Sequence, residues 1–175
     1  KKSEIRAKAS IEEKIAPNGF VKATSIQFKV ESKTEIQKVT MIDKIVSVSK
    51  QNIAGDEIEG AKLRIENENS EIVDSWTSTK EPHIVNGLEE GKKYILYEDY
   101  APDGYVISNK IEFTVNKDKV NQEIRMIDKV VTITKENITG KEVEGAKMRV
   151  VDEDENEIDS WTSTKEPHKV NGLEE

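Results

Sequence analysis

Apolar and polar residues alternate along most of this chain, with the two-residue period of a β-strand. Val46 and Val48 share one face of a strand predicted over 45–50. Ala61, Leu63 and Ile65 give the inward face of a second strand. A third, over 72–77, carries Trp76. Tyr94 and Leu96 set the inner face of 93–98. Ile111, Phe113 and Val115 mark another strand, and Ile124 and Met126 belong to a last one over 123–128. Turn-forming residues separate these runs: Gly55 in a loop over 51–60, Asn67, Asn69 and Ser70 within 66–71, Asn86-Gly87 in the connection over 80–90, and Ala101-Pro102-Asp103-Gly104, whose proline ends strand pairing. No helix of ordinary length fits. Short strands between regularly spaced turns predict an all-β sandwich.

The pattern repeats. SWTSTKEPH occupies 75–83 and again 160–168, and MIDK stands at 41–44 and 126–129. VNGLEE occupies 85–90 and 170–175, and Gly60-Ala61-Lys62 returns as Gly145-Ala146-Lys147. At the front, 13–20 (EKIAPNGF) matches 98–105 (EDYAPDGY). Every pair lies 85 positions apart. A unit of that length is a small domain, longer than a solenoid repeat. The expected organisation is one complete unit over 44–128, the C-terminal half of a preceding unit over 1–43, and the N-terminal half of a following one over 129–175. Both ends fall near the VNGLEE loop, so the chain reads as a slice of a tandem array.

Three ionisable residues break the apolar faces of the complete unit. Lys50 continues Val46 and Val48, Glu98 continues Tyr94 and Leu96, and Asp128 continues Ile124 and Met126. Side chains two apart on a strand point the same way, so all three charges are expected to face the core. Buried charges are costly unless paired or neutralised. The group is therefore either a salt-bridge network or the starting material of a covalent bond. Burial lowers a lysine pKa and raises carboxyl values. A neutral Lys50 amine could then attack the Asp128 carboxyl, while a protonated Glu98 shuttles protons. Contact between the groups supplies a large effective molarity. The end segments carry matching parts. Glu13 continues Ile11, Asp43 continues Val39 and Met41, and Lys135 continues Val131 and Ile133.

Composition narrows the alternatives. The 175 residues are 34% hydrophobic and 35% charged, with a mean hydropathy of −0.70, which suits thin β domains with solvated faces. A formal net charge of −8 disfavours nucleic acid and anionic membrane as partners. No apolar run is long enough to span a bilayer, and no signal peptide is visible. There is no cysteine, so in a secreted protein stability would not come from disulfides. An enzyme acting on an outside substrate has little support: there is no glycine-rich phosphate loop and no histidine cluster. His83 and His168 read as surface-loop residues rather than metal ligands. Asp152, Asp154 and Asn156 mimic the opening of a calcium loop, but that motif's glycine and distal glutamate are out of place, and a hairpin turn is favoured. Trp76 and Trp161 suit core or edge packing. Asn137-Ile138-Thr139 fits a glycosylation sequon, a short motif that carries little weight by itself. No cofactor or metal is expected.

The run 94–105 (YILYEDYAPDGY) resembles the glutamate strand and Ala-Pro-x-Gly-Tyr turn of the B-type, prealbumin-like (SpaA-like) domains of Gram-positive collagen adhesins and pilins. The stretch 46–50, followed by Glu59-Gly60-Ala61-Lys62-Leu63, is similar to that family's first two strands. The resemblance implies tandem seven-stranded reverse-immunoglobulin β-sandwiches. It also implies a spontaneous isopeptide bond between Lys50 and Asp128 promoted by Glu98, with Glu13, Asp43 and Lys135 as the equivalent positions of the partial units. Asp128 departs from the asparagine of many members, which changes the leaving group from ammonia to water. The function expected is a stalk segment of an extracellular, cell-wall-anchored surface protein, with anchor and signal outside this chain. Its partners would be neighbouring repeats. The alternative is an adhesin module that binds a host protein or glycan. The half-units could also complement one another between chains, placing Lys135 beside Asp43 and Glu13.

Overall fold

The computed structural model describes residues 7–32 and 34–175. These residues form thirteen strands and no helix. β1 (Lys8–Ile11) and β2 (Ile26–Lys29) pair as an antiparallel ribbon ahead of the central unit. The central unit holds seven strands: β3 (Ile45–Asn52), β4 (Lys62–Asn67), β5 (Ile72–Thr77), β6 (His83–Ile84), β7 (Lys93–Tyr100), β8 (Ile111–Thr114) and β9 (Asn121–Asp128). After it come β10 (Thr132–Ile133), β11 (Lys147–Val151), β12 (Glu157–Thr162) and β13 (His168–Lys169).

The seven central strands make two sheets, ordered β6-β3-β9 and β5-β4-β7-β8. Alternation brings one face of each sheet to a shared core. Val46, Val48, Ile124 and Met126 come from the first sheet. Leu63, Ile65, Tyr94, Leu96 and Phe113 come from the second. This is the β-sandwich the strand pattern predicts. β3 and β9 pair in parallel over their full length, from Ile45↔Asn121 to Asn52↔Asp128, and every other ladder is antiparallel. The first and last strands of the unit are therefore neighbours.

The structure departs from the sequence expectation in particular places. β3 and β9 each run two residues beyond the predicted bounds, because their parallel ladder continues to Asn52 and starts at Asn121. The 80–90 connection contains β6, so His83 is a strand residue and not a surface-loop one. Val39, Met41 and Asp43 lie outside any strand. In the central unit the matching residues are held by β3; among the described residues, none pairs with 39–43 in that way.

β11 and β12 reproduce the register of β4 and β5, with Lys147↔Thr162 in place of Lys62↔Thr77 and the bulge at the same rung. In both hairpin turns a side-chain oxygen holds the backbone. Asn67 Oδ1 accepts the N–H groups of Asn69 and Glu71, and Asp152 Oδ1 accepts those of Asp154 and Asn156. The calcium-like run is thus a hairpin turn whose first carboxylate is engaged by the backbone. Among the described residues, no cluster of His, Cys, Asp or Glu is arranged to hold a metal ion.

Candidate functional site

The central unit brings Lys50, Glu98 and Asp128 together between its sheets. Lys50 sits near the end of β3, directly across the parallel ladder from Met126, with Asp128 two residues further along β9. A lysine side chain is long enough to lean along this diagonal, and Nζ meets Asp128 Oδ1. Glu98 comes from β7 in the opposite sheet, and its Oε1 lies 3.0 Å from Lys50 Nζ. A register shift in the β4–β7 ladder, between Lys62 and Leu63, falls beside Glu98, which is opposite Leu63. Bulges of this kind re-aim side chains. The residues are 1%, 7% and 0% exposed for Lys50, Glu98 and Asp128.

Burial sets the proton balance. It pulls the Lys50 ammonium below its usual 10.5, against the opposing pull of the Glu98 charge. It pushes the Glu98 carboxyl above its usual 4.5, against a hydrogen bond from the Ser108 N–H and the Lys50 charge. Both shifts favour neutral forms, since a low-dielectric site disfavours charge. Ser108 joins the group from the segment after β7. Its N–H donates to Glu98 Oε2 at 2.7 Å, and its hydroxyl donates to Asp128 Oδ1 at 2.8 Å. Asp128 Oδ2 is buried without a hydrogen-bond partner, as is Glu98 Oε1 apart from the lysine. Buried polar atoms left unsatisfied are uncommon. The arrangement presents an amine with a tendency to be neutral, a carboxyl in contact with it, and a second carboxyl with a tendency to hold its proton. Those are the requirements of amide formation.

Residues 44–130 match the model of the SpaA prealbumin-like fold domain. These residues form a domain of the SpaA prealbumin-like family. No curated protein matches the chain. Among solved structures, the SpaA-type fold is similar to the Bacillus anthracis TIE protein (19% identity, TM-score 0.38, covering 94% of this chain and 34% of that one). It is also similar to the group B streptococcus pilus 2b backbone protein (17%, 0.44, 59% and 47%). A third is the shaft pilin SpaA of Lactobacillus rhamnosus GG (14%, 0.40, 68% and 63% for one of its variants). The chain spans from about a third to just under two thirds of the length of these proteins.

The end segments of this SpaA-type chain carry the same residues without the same site. Glu13 is half-buried and accepts the Ala23 N–H at 2.7 Å, as Glu98 accepts that of Ser108. Asp43 and Lys135 are exposed. Among the described residues, no hydrogen bond or ion pair joins any two of Glu13, Asp43 and Lys135.

The repeated SWTSTKEPH block is used inside the fold. The His83 ring stacks on Trp76 with centroids 4.1 Å apart, and its Nε2 meets Asp74 Oδ2 at 2.9 Å. His168, Trp161 and Asp159 repeat this arrangement at 4.0 Å and 2.8 Å. Trp76 packs against the core cluster, and Trp161 is half-buried against His168. Ser108 was not legible as a site residue. It lies in a stretch without alternation, and a lone serine carries no signal of its partner.

Proposed function

We propose that this chain is a structural segment of a Gram-positive surface stalk, of the pilus or adhesin type, whose repeats are locked by a Lys50–Asp128 isopeptide bond. The neutral Lys50 Nζ attacks Cγ of Asp128. Glu98 takes up a proton from the nitrogen and delivers one to the departing oxygen. The Nζ–Cγ bond forms, a Cγ–O bond breaks, and one water leaves. The reaction runs once, on the protein itself, with no outside substrate. The observation that carries this reading is the buried contact of Lys50 Nζ with Asp128 Oδ1, with Glu98 Oε1 3.0 Å away.

The unit is taken to be 44–128, with 1–43 and 129–175 as parts of neighbouring repeats. Such a stalk lies outside the cell, with its anchor on other segments. The parallel pairing of β3 and β9 supports a load-bearing role. Force enters the unit at the start of β3 and leaves at the end of β9. A bond from Lys50 to Asp128 would carry it between adjacent strands and leave 51–127 out of the load path. The stalk reading is favoured over a ligand-binding one because SWTSTKEPH and VNGLEE, the most closely repeated blocks, are engaged in internal contacts. Complementation of the end segments between chains remains a separate proposal, tested by gel filtration at high concentration, where a monomer alone would refute it.

Intact mass under denaturing conditions tests the bond. The chain is expected to weigh one water less than its sequence, and Lys50→Ala is expected to restore the full mass of its own sequence. An unshifted mass in the unsubstituted chain would sink the reading.

A further inference from the structure

Residues 101–110 lie between β7 and β8 and belong to neither. Their backbone is held instead by the loop that ends the chain. The Ile107 N–H donates to Leu173 O at 2.8 Å, and the Glu175 N–H donates back to Ile107 O at 3.0 Å. The Gly104 N–H donates to Asn171 Oδ1 at 2.6 Å, and the Asn109 N–H to Glu175 Oε2 at 3.4 Å. The Val106 N–H reaches Lys129 O, just past β9. Glu175 also pairs with Lys129 at 2.6 Å.

The same joint occurs 85 residues earlier. Lys22 exchanges backbone bonds with Leu88 and Glu90, Gly19 donates to Asn86 Oδ1, Thr24 donates to Glu90 Oε2, and Val21 donates to Lys44 O. Val21 is fully buried within the core cluster of the central unit, although it precedes that unit in the chain. The VNGLEE block is therefore a socket, and the segment after the Ala-Pro-x-Gly turn of the preceding repeat is the plug. Two copies of one geometry in one chain make a built interface, and its partner is the next copy of the same repeat.

The plug has a second face. Within 107–109, Ile107 and Asn109 bond to the following repeat, while Ser108 between them bonds to Glu98 and Asp128. Ala23 takes that place at the first joint and offers only its N–H, to Glu13.

We propose that seating of the 171–175 socket on 104–109 positions Glu98 and Asp128 through Ser108, so that the central unit closes its crosslink when the following repeat docks. This rests on the isopeptide reading and adds its regulation. Without the socket, residues 104, 107 and 109 lose the hydrogen bonds described above, and the segment keeps the turn bond from Tyr105 to Pro102, the bond from Val106 to Lys129, and Ser108's own bonds to Glu98, Ile127 and Asp128. A reaction that depends on near-contact geometry is slowed steeply by small misplacement. The central crosslink would then wait for the repeat that follows it.

The test uses the full chain with Asn171→Ala and Glu175→Ala together, both outside the central sandwich. Chains made by cell-free synthesis are quenched in denaturant at intervals and weighed. The unsubstituted chain is expected to lose one water, and the double variant to do so roughly tenfold more slowly or worse. The Ser108 amide, followed by hydrogen exchange in a chain that also carries Lys50→Ala, is expected to lose protection when the socket is substituted. Equal closure rates with and without the socket substitutions would overturn the coupling and leave the crosslink standing. Absence of any mass loss in the unsubstituted chain would overturn the crosslink itself, and the coupling with it. Unchanged Ser108 protection would also count against the coupling.

Discussion

The central unit and the end segments carry the same ionisable residues at the same repeat positions, yet only the central unit gathers them. Lys50, Glu98 and Asp128 share one buried contact group, whereas Lys135 and Asp43 are exposed and Glu13 is half-buried. The decisive difference is the parallel pairing of β3 with β9. It lays a first strand against a last strand and closes the sandwich over the charges. β10, the counterpart of β3, is only two residues long and pairs with β13 alone. The buried contact group is therefore a property of the closed unit and not of the residues by themselves. A lysine 78 positions from an aspartate meets it only because the fold brings both out of water to one place.

The sharpest way to break this comparison is Lys50→Ala. Loss of the crosslink is expected to cost about 4 kcal/mol by loop entropy, and to leave two carboxyl groups buried without their cation. Under force, the freed segment between Lys50 and Asp128 would add on the order of 250 Å of contour; the closed unit would not extend. Thermal melts and single-molecule pulling check both, and an unchanged melt would refute a stabilising bond.

Glu98→Gln keeps the shape and removes the proton shuttle. Closure is expected to slow by about 10²–10⁴-fold, read as chains retaining the unclosed mass. Next in size is pH. Closure needs a neutral Lys50 and a protonated Glu98. Burial brings the lysine down from 10.5 and the glutamate up from 4.5. The rate should therefore fall toward acid, as Lys50 takes a proton, and fall toward alkali, as Glu98 loses one. A rate that rises steadily to high pH would assign Glu98 no acid role.

Ser108→Ala is expected to act more weakly. It removes the hydroxyl bonds to Asp128 Oδ1 and Ile127 O and leaves the N–H to Glu98, as Ala23 does at the other joint. Removing one such bond typically changes an equilibrium by about 1 kcal/mol, so closure should slow several-fold. The smallest effect belongs to the end copies. Lys135→Ala and Glu13→Gln are expected to leave mass unchanged, apart from the substitution itself. Lys135→Ala should shift stability by no more than about 0.5 kcal/mol. A one-water change on either substitution would show that the ends react as the centre does.

The repeat and the alternation carried much of the answer. The inward faces of Val46-Val48-Lys50, Tyr94-Leu96-Glu98 and Ile124-Met126-Asp128 were readable because a strand has a period of two and its faces are set locally. The 85-residue offset assigned matching parts to the ends. Other features were not readable. The Val39-Met41-Asp43 pattern forms no strand, because a strand requires a neighbour as well as a pattern. His83 was expected in a loop and lies in β6 stacked on Trp76, since a two-residue strand leaves no period to detect. Ser108, Val21 and Glu175 owe their places to contacts between distant segments.

By itself, the sequence determined which residues face inward, where each unit repeats, and that three charges break an apolar face. Those properties follow from local geometry and from copying. Only the tertiary structure decided which charges meet, because the parallel β3–β9 ladder and the facing β7 bring together residues far apart in the chain. It also decided that one repeat's turn sits in the next repeat's loop, since the unpaired backbone of 104–109 finds its hydrogen-bond partners there.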